Sequence, residues 1–337
     1  MATKIRIGTR DSQLAVWQAT LVKDQLEAAG HPSELVFVKS EGDIDLVTPL
    51  YAIGVQGVFT RTLDAALLSG RIDLAVHSMK DVPVQLAKSI SAAAILPRAS
   101  TKDLLVLKGG DASFLDDPRG IATIATSSLR RKAQWLHRYP AHRIENLRGN
   151  VNTRLRKVAE SDWQGAIFAA AGLERIGERP ASGIELDWML PAPAQGAILI
   201  VCREEDTWLR AACAGMHDQR TAVCVTLERE FLSALMGGCS TPVGALAVIE
   251  DETLHFKGNV CSLDGATCLT EERTVSLDNL PAPGPAVSPA PDQASAPGQV
   301  AAPAQTTALR AIAQSAAESL LRQGAAVLIS KTHSTVS

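Results

Sequence analysis

The pattern of apolar and polar positions along the chain switches repeatedly between a period of two, typical of strands, and a period near 3.6, typical of helices. Glycine follows several of the helical stretches, as expected at a helix end. Strands that alternate with helices predict a mostly parallel sheet covered by helices. The predicted elements of the first series are strands at 4–8, 35–39 and 72–76 and helices at 14–29 and 59–68.

A second series of the same kind begins near Thr101 and predicts a second α/β domain. An apolar strand at 195–202 follows this series, and we expect it to return to the first domain. A helix at 206–214 comes next. The predicted elements of the second series are strands at 104–107, 121–126, 144–146 and 165–170 and helices at 128–138 and 150–160.

The last part of the chain predicts a small α+β domain. Its predicted elements are helices at 222–236 and 308–322 and strands at 243–248, 253–260, 267–275 and 326–330. The complete prediction is an α/β protein of three domains. The predicted domains are 1–98 together with 195–216, then 99–194, and finally 217–337.

One stretch of the third domain differs in composition. Residues 281–303 hold 7 of the 17 prolines, set among Ala, Ser, Gly and Gln. Such a composition buries too little apolar surface to offset the entropy of ordering the chain, so we predict a disordered insertion at about 279–307. An ordered proline-rich partner motif is less favoured, because no basic or aromatic anchor accompanies the prolines.

Composition narrows the class of function. The formal net charge is -3 and aromatic residues make up 4% of the chain, which disfavours nucleic acid as a partner. No signal peptide and no apolar run of membrane-spanning length is found, so we expect a cytoplasmic protein without a membrane partner. The six cysteines form no Cys-x-x-Cys pair, so neither a disulfide framework nor a metal site is expected.

Four arginines are concentrated in two neighbouring segments. Arg130 and Arg131 follow Thr126-Ser-Ser-Leu, and Arg148 and Arg154 flank a Gly-Asn-Val-Asn-Thr run. Guanidinium groups hold carboxylates or phosphates in planar two-point contacts. The alternative is a solvated helix face, but two successive arginines cannot share one face as an i, i+4 pair would. The cluster therefore predicts a ligand with several acid groups.

Two turns that follow predicted strands carry further candidates. Gly8-Thr-Arg-Asp-Ser12 offers amides, a hydroxyl and a guanidinium to an acid group, although plain helix capping by Ser12 or Asp11 explains it as well. Lys80 and Asp81 emerge where a buried strand ends, at the edge where open α/β sheets bind ligands. There Asp81 could hold a cationic nitrogen or shuttle a proton, whereas the alternative is a solvated ion pair.

Cys239 lies in the turn Gly237-Gly-Cys-Ser-Thr-Pro242 immediately after a predicted helix. Glycine leaves this thiol open to reagents, so Cys239 is the cysteine with the best access for reaction. A buried structural thiol is the ordinary alternative, and local sequence alone favours it.

Six segments, taken together and in order, resemble hydroxymethylbilane synthase, also called porphobilinogen deaminase. The resemblance runs from residue 4 to the C-terminus. The segments that carry it are Gly8-Thr-Arg-Asp-Ser12, Ala75-Val-His-Ser-Met-Lys-Asp-Val-Pro83, Thr126-Ser-Ser-Leu-Arg-Arg131, Leu147-Arg-Gly-Asn-Val-Asn-Thr-Arg154, Ala171-Gly-Leu173 and Gly237-Gly-Cys239.

The resemblance implies a fold and a reaction. The fold has two lobes like those of a type II periplasmic binding protein, followed by a third domain. The reaction joins four porphobilinogen molecules head to tail with loss of ammonia, and water then releases hydroxymethylbilane for porphyrin biosynthesis. A dipyrromethane cofactor, joined by a thioether to Cys239, primes the chain. The family is habitually monomeric.

The resemblance also implies roles for individual residues. Asp81 matches the catalytic carboxylate, which would stabilise positive pyrrole nitrogens and assist proton transfer. The residues implied to contact the cofactor, besides Cys239, are Lys80, Asp81, Ser12, Thr126, Ser128, Arg130, Arg131 and Gln56. The residues implied to bind substrate carboxylates are Arg10, Arg148, Arg154 and Arg175.

The chain departs from the family pattern at Gln56, where a cofactor-contacting Lys is common. One cation is therefore missing, and cofactor affinity is the property that this change affects. A different class, a non-catalytic cytoplasmic protein that binds a small anion between two lobes, also explains the arginines. That class predicts a free Cys239 thiol, whereas the enzyme predicts a covalent pyrrole adduct.

Overall fold

The computed structural model describes residues 4–39, 60–117, 119–236, 241–282 and 303–334. Their strands form two five-stranded sheets and one three-stranded sheet. The strands are β1 (Ile5–Thr9), β2 (Ser33–Phe37), β3 (Leu74–Ser78), β4 (Ile90–Ile95), β5 (Asp103–Leu107), β6 (Thr123–Ala125), β7 (Arg143–Glu145), β8 (Gly165–Ala169), β9 (Ile184–Glu185), β10 (Ile198–Arg203), β11 (Val243–Glu250), β12 (Thr253–Cys261) and β13 (Cys268–Ser276). The helices are α1 (Gln13–Ala28), α2 (Arg61–Leu68), α3 (Leu129–Arg138), α4 (Val151–Glu160), α5 (Ala170–Arg175), α6 (Thr207–Cys213), α7 (Gln219–Ala234), α8 (Pro303–Arg322) and α9 (Ala325–Ser334).

The first sheet has the strand order β2-β1-β3-β10-β4. β2, β1 and β3 pair in parallel, and β10 pairs antiparallel with both β3 and β4. Four strands therefore run in one direction and β10 runs in the other. This confirms the predicted mostly parallel sheet. The strand predicted at 195–202 does return to the first sheet. β4 was not predicted, because its alanine-rich sequence has little of the β-branched character typical of strands.

The second sheet repeats this topology with the order β7-β6-β8-β5-β9. β7, β6 and β8 are parallel, and β5 runs antiparallel between β8 and β9. Separate apolar clusters cover the two faces of each sheet, as expected for sheets of this kind. The chain crosses between the two lobes twice, from β4 to β5 and from β9 to β10. The predicted α/β fold class is confirmed, and the predicted domain boundaries stay predictions.

The third sheet is an antiparallel meander of β11, β12 and β13. α7 and α8 pack on it around a single apolar cluster that includes Phe231 and Phe256. The predicted strand at 326–330 is wrong, because these residues lie in α9. Ala325 and Ile329 are buried while Val327 is exposed, which is the spacing of a helix face.

The third domain also corrects the predicted insertion. Residues 303–307, the C-terminal end of the predicted insertion at about 279–307, form the first turns of α8. The predicted insertion therefore extends too far at its C-terminal end. Gln305 and Thr306 are buried. The Gln305 amide donates to the carbonyl oxygen of Pro281 and accepts from Gln219, at 3.1 and 3.0 Å. These contacts anchor the early start of the helix; 283–302 lie outside the described residues.

The expectation of no disulfide is wrong for one pair of cysteines. Cys261 and Cys268 are joined across β12 and β13. The two residues face each other in the antiparallel register, where side chains are close, and a spacing rule built on Cys-x-x-Cys misses such a pair. Cys202, Cys213 and Cys224 are buried free thiols. None of the described helices is both long and apolar enough to cross a membrane.

Candidate active site

A cleft between the two five-stranded sheets brings together most of the residues that the sequence singled out. Its volume is about 230 Å³. Its walls come largely from the segments that follow β1, β3, β7 and β8. These segments leave their strands at the carboxyl ends, where ligands of open α/β sheets bind.

The first lobe contributes Arg10, Ser12, Lys80 and Asp81 to the cleft wall. Arg10 and Ser12 lie in the turn between β1 and α1, where Ser12 is the N-cap residue of α1. Lys80 and Asp81 belong to a short 3₁₀ helix that directly follows β3. The strand-turn-helix pattern therefore places both turns at one edge of the sheet, as predicted.

The second lobe contributes Arg148 and Arg154 from the turn between β7 and α4. The Asn150 side chain caps α4 by accepting a hydrogen bond of 2.9 Å from the Thr153 amide. Gly149 has a φ of +111°, and its carbonyl accepts a 2.7 Å hydrogen bond from Nε of Arg154. Burial, with positive neighbours, lowers the pKa of Arg154 to about 10, so it is a cation at neutral pH.

Arg175 enters the cleft from the end of α5. Its Nη2 donates a 2.6 Å hydrogen bond to the carbonyl oxygen of Gly196, in the second crossing between the lobes. Its guanidinium carbon lies 5.8 Å from the ring centre of Trp17 on α1. Burial lowers the pKa of Arg175 to about 10. Arg175 thus contacts both lobes across the cleft.

A buried network links Lys80 to the arginine cluster. Lys80 Nζ donates to Oε1 of Gln195 at 3.2 Å, and Gln195 Nε2 donates to Oδ1 of Asp103 at 3.0 Å. Asp103 accepts further hydrogen bonds, of 2.7 to 3.0 Å, from Arg130 and Arg131. Burial opposes ionisation of Asp103, but the two guanidinium groups outweigh it and lower its pKa below the usual range.

Asp103 is a member of this network that the sequence reasoning missed. It begins β5, its side chain is fully buried, and its arginine partners lie 27 and 28 residues away. Nothing local marks such a residue, because only the tertiary fold brings the three together. Asp103 holds one negative charge against two positive ones, so the trio keeps one net positive charge beside the cleft.

Arg131 lines the cleft, whereas Arg130, Thr126 and Ser128 are not among its lining residues. Arg130 turns away and also donates to the carbonyl oxygen of Leu190 at 2.6 Å. Thr126 Oγ1 accepts from the Ser128 amide at 3.2 Å, and the Ser128 hydroxyl caps α3. In this structure these three residues shape the segment that presents Arg131. Cys239 and Gln56 lie outside the described residues.

The charges of the cleft are strongly one-sided. Among the described residues that line it, Asp81 is the carboxylate and six residues are cations. The cationic lining residues are Arg10, Lys80, Arg131, Arg148, Arg154 and Arg175. Fold and site together define a two-lobed α/β protein whose cleft is suited to a small polyanion, with one carboxylate among the cations of its described lining.

Comparison with known proteins narrows this class. A family model described as "Porphobilinogen deaminase, dipyromethane cofactor binding domain" matches residues 5–211, and one described as "Porphobilinogen deaminase, C-terminal domain" matches residues 222–282. The chain belongs to the porphobilinogen deaminase family. The resemblance expected from the six segments is thereby confirmed.

Curated relatives agree over most of the chain. Porphobilinogen deaminase of Syntrophotalea carbinolica is 46% identical over 275 residues, which cover 80% of this chain and 86% of that protein. The chloroplastic porphobilinogen deaminase of Oryza sativa subsp. japonica is 42% identical and covers 81% of this chain and 78% of that protein. The enzyme of Shouchella clausii is 43% identical and covers 80% and 88%.

Likeness to solved structures is weaker. A periplasmic substrate-binding protein of an ABC transporter from Coxiella burnetii matches with a TM-score of 0.40 and 14% identity, covering 64% of this chain and 93% of that one.

The side chains present fit a dipyrromethane cofactor. Such a group carries an acetate and a propionate on each ring, and the described cleft offers six cations to meet them. The first family model is that of a dipyrromethane cofactor binding domain. The chain is accordingly a transferase that deaminates and polymerises porphobilinogen. The alternative of a non-catalytic anion-binding protein is not favoured.

Proposed function

We propose that this hydroxymethylbilane synthase works with Asp81 as its catalytic carboxylate and with its cofactor attached at Cys239. The observation that carries the proposal is the isolation of Asp81 among cations in the described part of the cleft wall. Carboxylates of the ligand take the cations, which leaves Asp81 for the positively charged groups of the reaction.

Asp81 acts on charge that develops during the reaction. Loss of ammonia from porphobilinogen leaves a cationic pyrrole, and the carboxylate stabilises its nitrogen. The coupling that follows leaves a proton to be removed, and Asp81 is placed to accept it. Lys80 and Arg154 are close enough to interact with the Asp81 charge.

The cations divide between cofactor and substrate in this proposal. Arg131, Lys80 and Ser12 hold the cofactor, which supplies the carbon nucleophile when bound, with Arg130, Thr126 and Ser128 supporting Arg131. Gln56 belongs to the same cofactor-binding set and stands where a cofactor-contacting Lys is common in the family. Arg10, Arg148, Arg154 and Arg175 hold carboxylates of the incoming substrate and the growing chain. Their spread over both lobes provides for a ligand that lengthens by two carboxylates per ring.

The protein acts in the cytoplasm as a monomer in this proposal. The habit of the family supports the monomer. Porphobilinogen and the growing polypyrrole are the partners, without nucleic acid or membrane. The near-balanced overall charge is in keeping with this.

Intact-protein mass spectrometry tests the attachment. The full chain is produced in a host that makes tetrapyrroles, and its mass is compared with that of a Cys239→Ser variant. We expect an excess of two linked pyrrole units on the wild-type chain, mapped by peptide analysis to Cys239 and absent from the variant. A folded wild-type protein with an unmodified Cys239 would reject the proposal.

A further inference from the structure

One arginine of the third domain reaches into the first lobe beside the candidate catalytic residue. Arg229 of α7 donates hydrogen bonds to the main-chain carbonyl oxygens of Met79, Val82, Pro83 and Val84. The four donor–acceptor distances are 3.3, 3.0, 2.6 and 3.1 Å, in that order. The acceptors bracket Lys80 and Asp81 on both sides along the chain.

The bracketed segment has irregular backbone. After β3 it makes a single 3₁₀ turn, and Val82 has already left that turn for extended backbone. The side chains of Met79 and Val82 are buried in the core of the first lobe. Carbonyl groups in such irregular backbone lack the repeating partners of a helix or strand. The planar guanidinium, with five donors, can satisfy several of them at once.

The helix that carries Arg229 also leads to the cofactor turn. α7 ends at Ala234, and the chain then continues through Gly237 and Gly238 to Cys239. In sequence, the helix that is hydrogen-bonded to the Asp81 segment is therefore followed shortly by Cys239.

We propose that Arg229 is a positioning residue, which holds the Met79–Val84 segment and thereby fixes the position of Asp81 in the cleft wall. This inference rests on the proposed role of Asp81. Arg229 touches neither substrate nor cofactor in this proposal and acts only through the main chain that it holds.

Arg220 offers a matched control on the same helix. Its Nη2 donates to the carbonyl oxygens of Ile249 and Asp251, at 3.3 and 3.2 Å, within the third domain. Arg220 is thus also an arginine of α7 bound to main-chain carbonyls, but its partners are not in the cleft wall. The Arg220→Ala variant therefore measures how much activity is lost when an arginine with a purely structural role is removed from the same helix.

The test compares Arg229→Ala, Arg229→Lys and Arg220→Ala in the full chain loaded with cofactor, with intact mass used to measure the load. We expect Arg229→Ala to lower kcat by about 10- to 100-fold with little change in KM, because a small misplacement of a catalytic group costs rate rather than affinity. Arg229→Lys should recover part of the loss, because an ammonium group reaches fewer carbonyls. Arg220→Ala should stay within about twofold of wild type.

Hydrogen exchange at 79–84 gives a second readout that does not depend on activity. Exchange there should rise in Arg229→Ala and stay at the wild-type level in Arg220→Ala, with or without the Cys239→Ser change. Unchanged exchange in Arg229→Ala, or a kcat no lower than that of Arg220→Ala, would overturn the inference. If Arg229→Ala does not fold, the kcat of Arg229→Lys and its hydrogen exchange at 79–84 are compared with those of Arg220→Ala instead, and the same outcomes decide. A wild-type chain without pyrrole would defeat the proposed function, while exchange still tests the hydrogen-bonded segment.

Discussion

The guanidinium of Arg98 donates two hydrogen bonds, of 2.6 and 3.0 Å, to the carboxylate of Glu228. Arg98 lies in the first crossing between the lobes, and Glu228 lies on α7 with a fully buried side chain. Glu228 also accepts from the amides of Ala194 and Ala247, both at 2.7 Å. The pair therefore joins the two crossings between the lobes to the third domain.

Removing one member of this pair should destabilise the protein strongly. We expect Glu228→Ala to lower the free energy of unfolding by about 3–5 kcal/mol, because it leaves a largely buried guanidinium without its carboxylate. Urea denaturation measures the change. Lys102→Ala, which breaks an ion pair to the exposed Asp187, is the control and should cost about 1 kcal/mol or less. Equal losses in the two variants would contradict the argument.

The Asp103 trio predicts a pH-dependent contribution to stability. The pKa of Asp103 is lowered in the fold, so its contribution is fully present above its ordinary pKa of 3.8 and is lost as pH falls below that value. Asp103→Asn should cost about 3–5 kcal/mol at pH 7, because two buried guanidinium groups lose their carboxylate. Urea denaturation between pH 7 and 3 should show this deficit shrinking on acidification. A deficit that is independent of pH would exclude the charge mechanism.

Much of the fold was predictable where a local pattern and the tertiary structure agree. Strands such as β1 and helices such as α4 have clear periods and end signals, and the structure has them within a few residues. β4 was missed because its core is alanine, and α9 was read as a strand because a short apolar run fits either period. The disulfide of Cys261 and Cys268 depends on strand register, which spacing alone does not give.

The candidate site, like the fold, was predictable where a local sequence pattern determines the position of a residue. Arg10, Asp81 and Arg148 follow strands, so a strand-turn-helix pattern places Arg10 and Asp81 at the carboxyl edge of the first sheet and Arg148 at that of the second. The partnership of Arg130 with Asp103 depends on contacts between distant elements, and no local signal announces it. The sequence therefore indicated which residues gather, but not which of the arginines are already paired within the protein.

Gly196 should tolerate no side chain. Its φ is +89°, and an added Cβ would lie 2.6 and 2.8 Å from the carbonyl oxygens of Ala99 and Ser100 in the other crossing. Gly110 has a similar φ of +80° with open space around it. Gly110→Ala should cost about 1–2 kcal/mol from backbone strain alone. Gly196→Ala should cost about 1–3 kcal/mol more, because the backbone must shift as well. Urea denaturation measures both losses of unfolding free energy. Similar losses in the two variants would show that the backbone of the crossing shifts at little cost.

Replacing Asp81 should impair the reaction rather than the fold. We expect Asp81→Asn to lower kcat by about 10²- to 10⁴-fold, because an amide neither accepts the proton nor stabilises a cationic nitrogen as a carboxylate does. The melting temperature should change little, because the side chain is exposed to the cleft. Initial rates of porphobilinogen consumption measure the effect. Asp11→Asn, an exposed carboxylate in the neighbouring turn, is the control, and comparable rates for both variants would remove Asp81 from the catalytic role.

Lys80 should couple anion binding to proton uptake near pH 8. Burial, with the positive charge of Arg131, lowers its pKa from 10.5 to about 8 in the ligand-free protein. The unfolded chain therefore binds more protons than the folded one between pH 8 and 10.5, and stability rises with pH across that window.

A bound carboxylate favours the charged ammonium, so binding raises the pKa of Lys80 again. Titration calorimetry of porphobilinogen into the Cys239→Ser protein at pH 8, in two buffers with different ionisation heats, should reveal uptake of up to about half a proton. Lys80→Arg keeps its charge at this pH and should show no such uptake. Equal heats in both buffers for the protein that retains Lys80 would contradict the predicted coupling between porphobilinogen binding and proton uptake at Lys80.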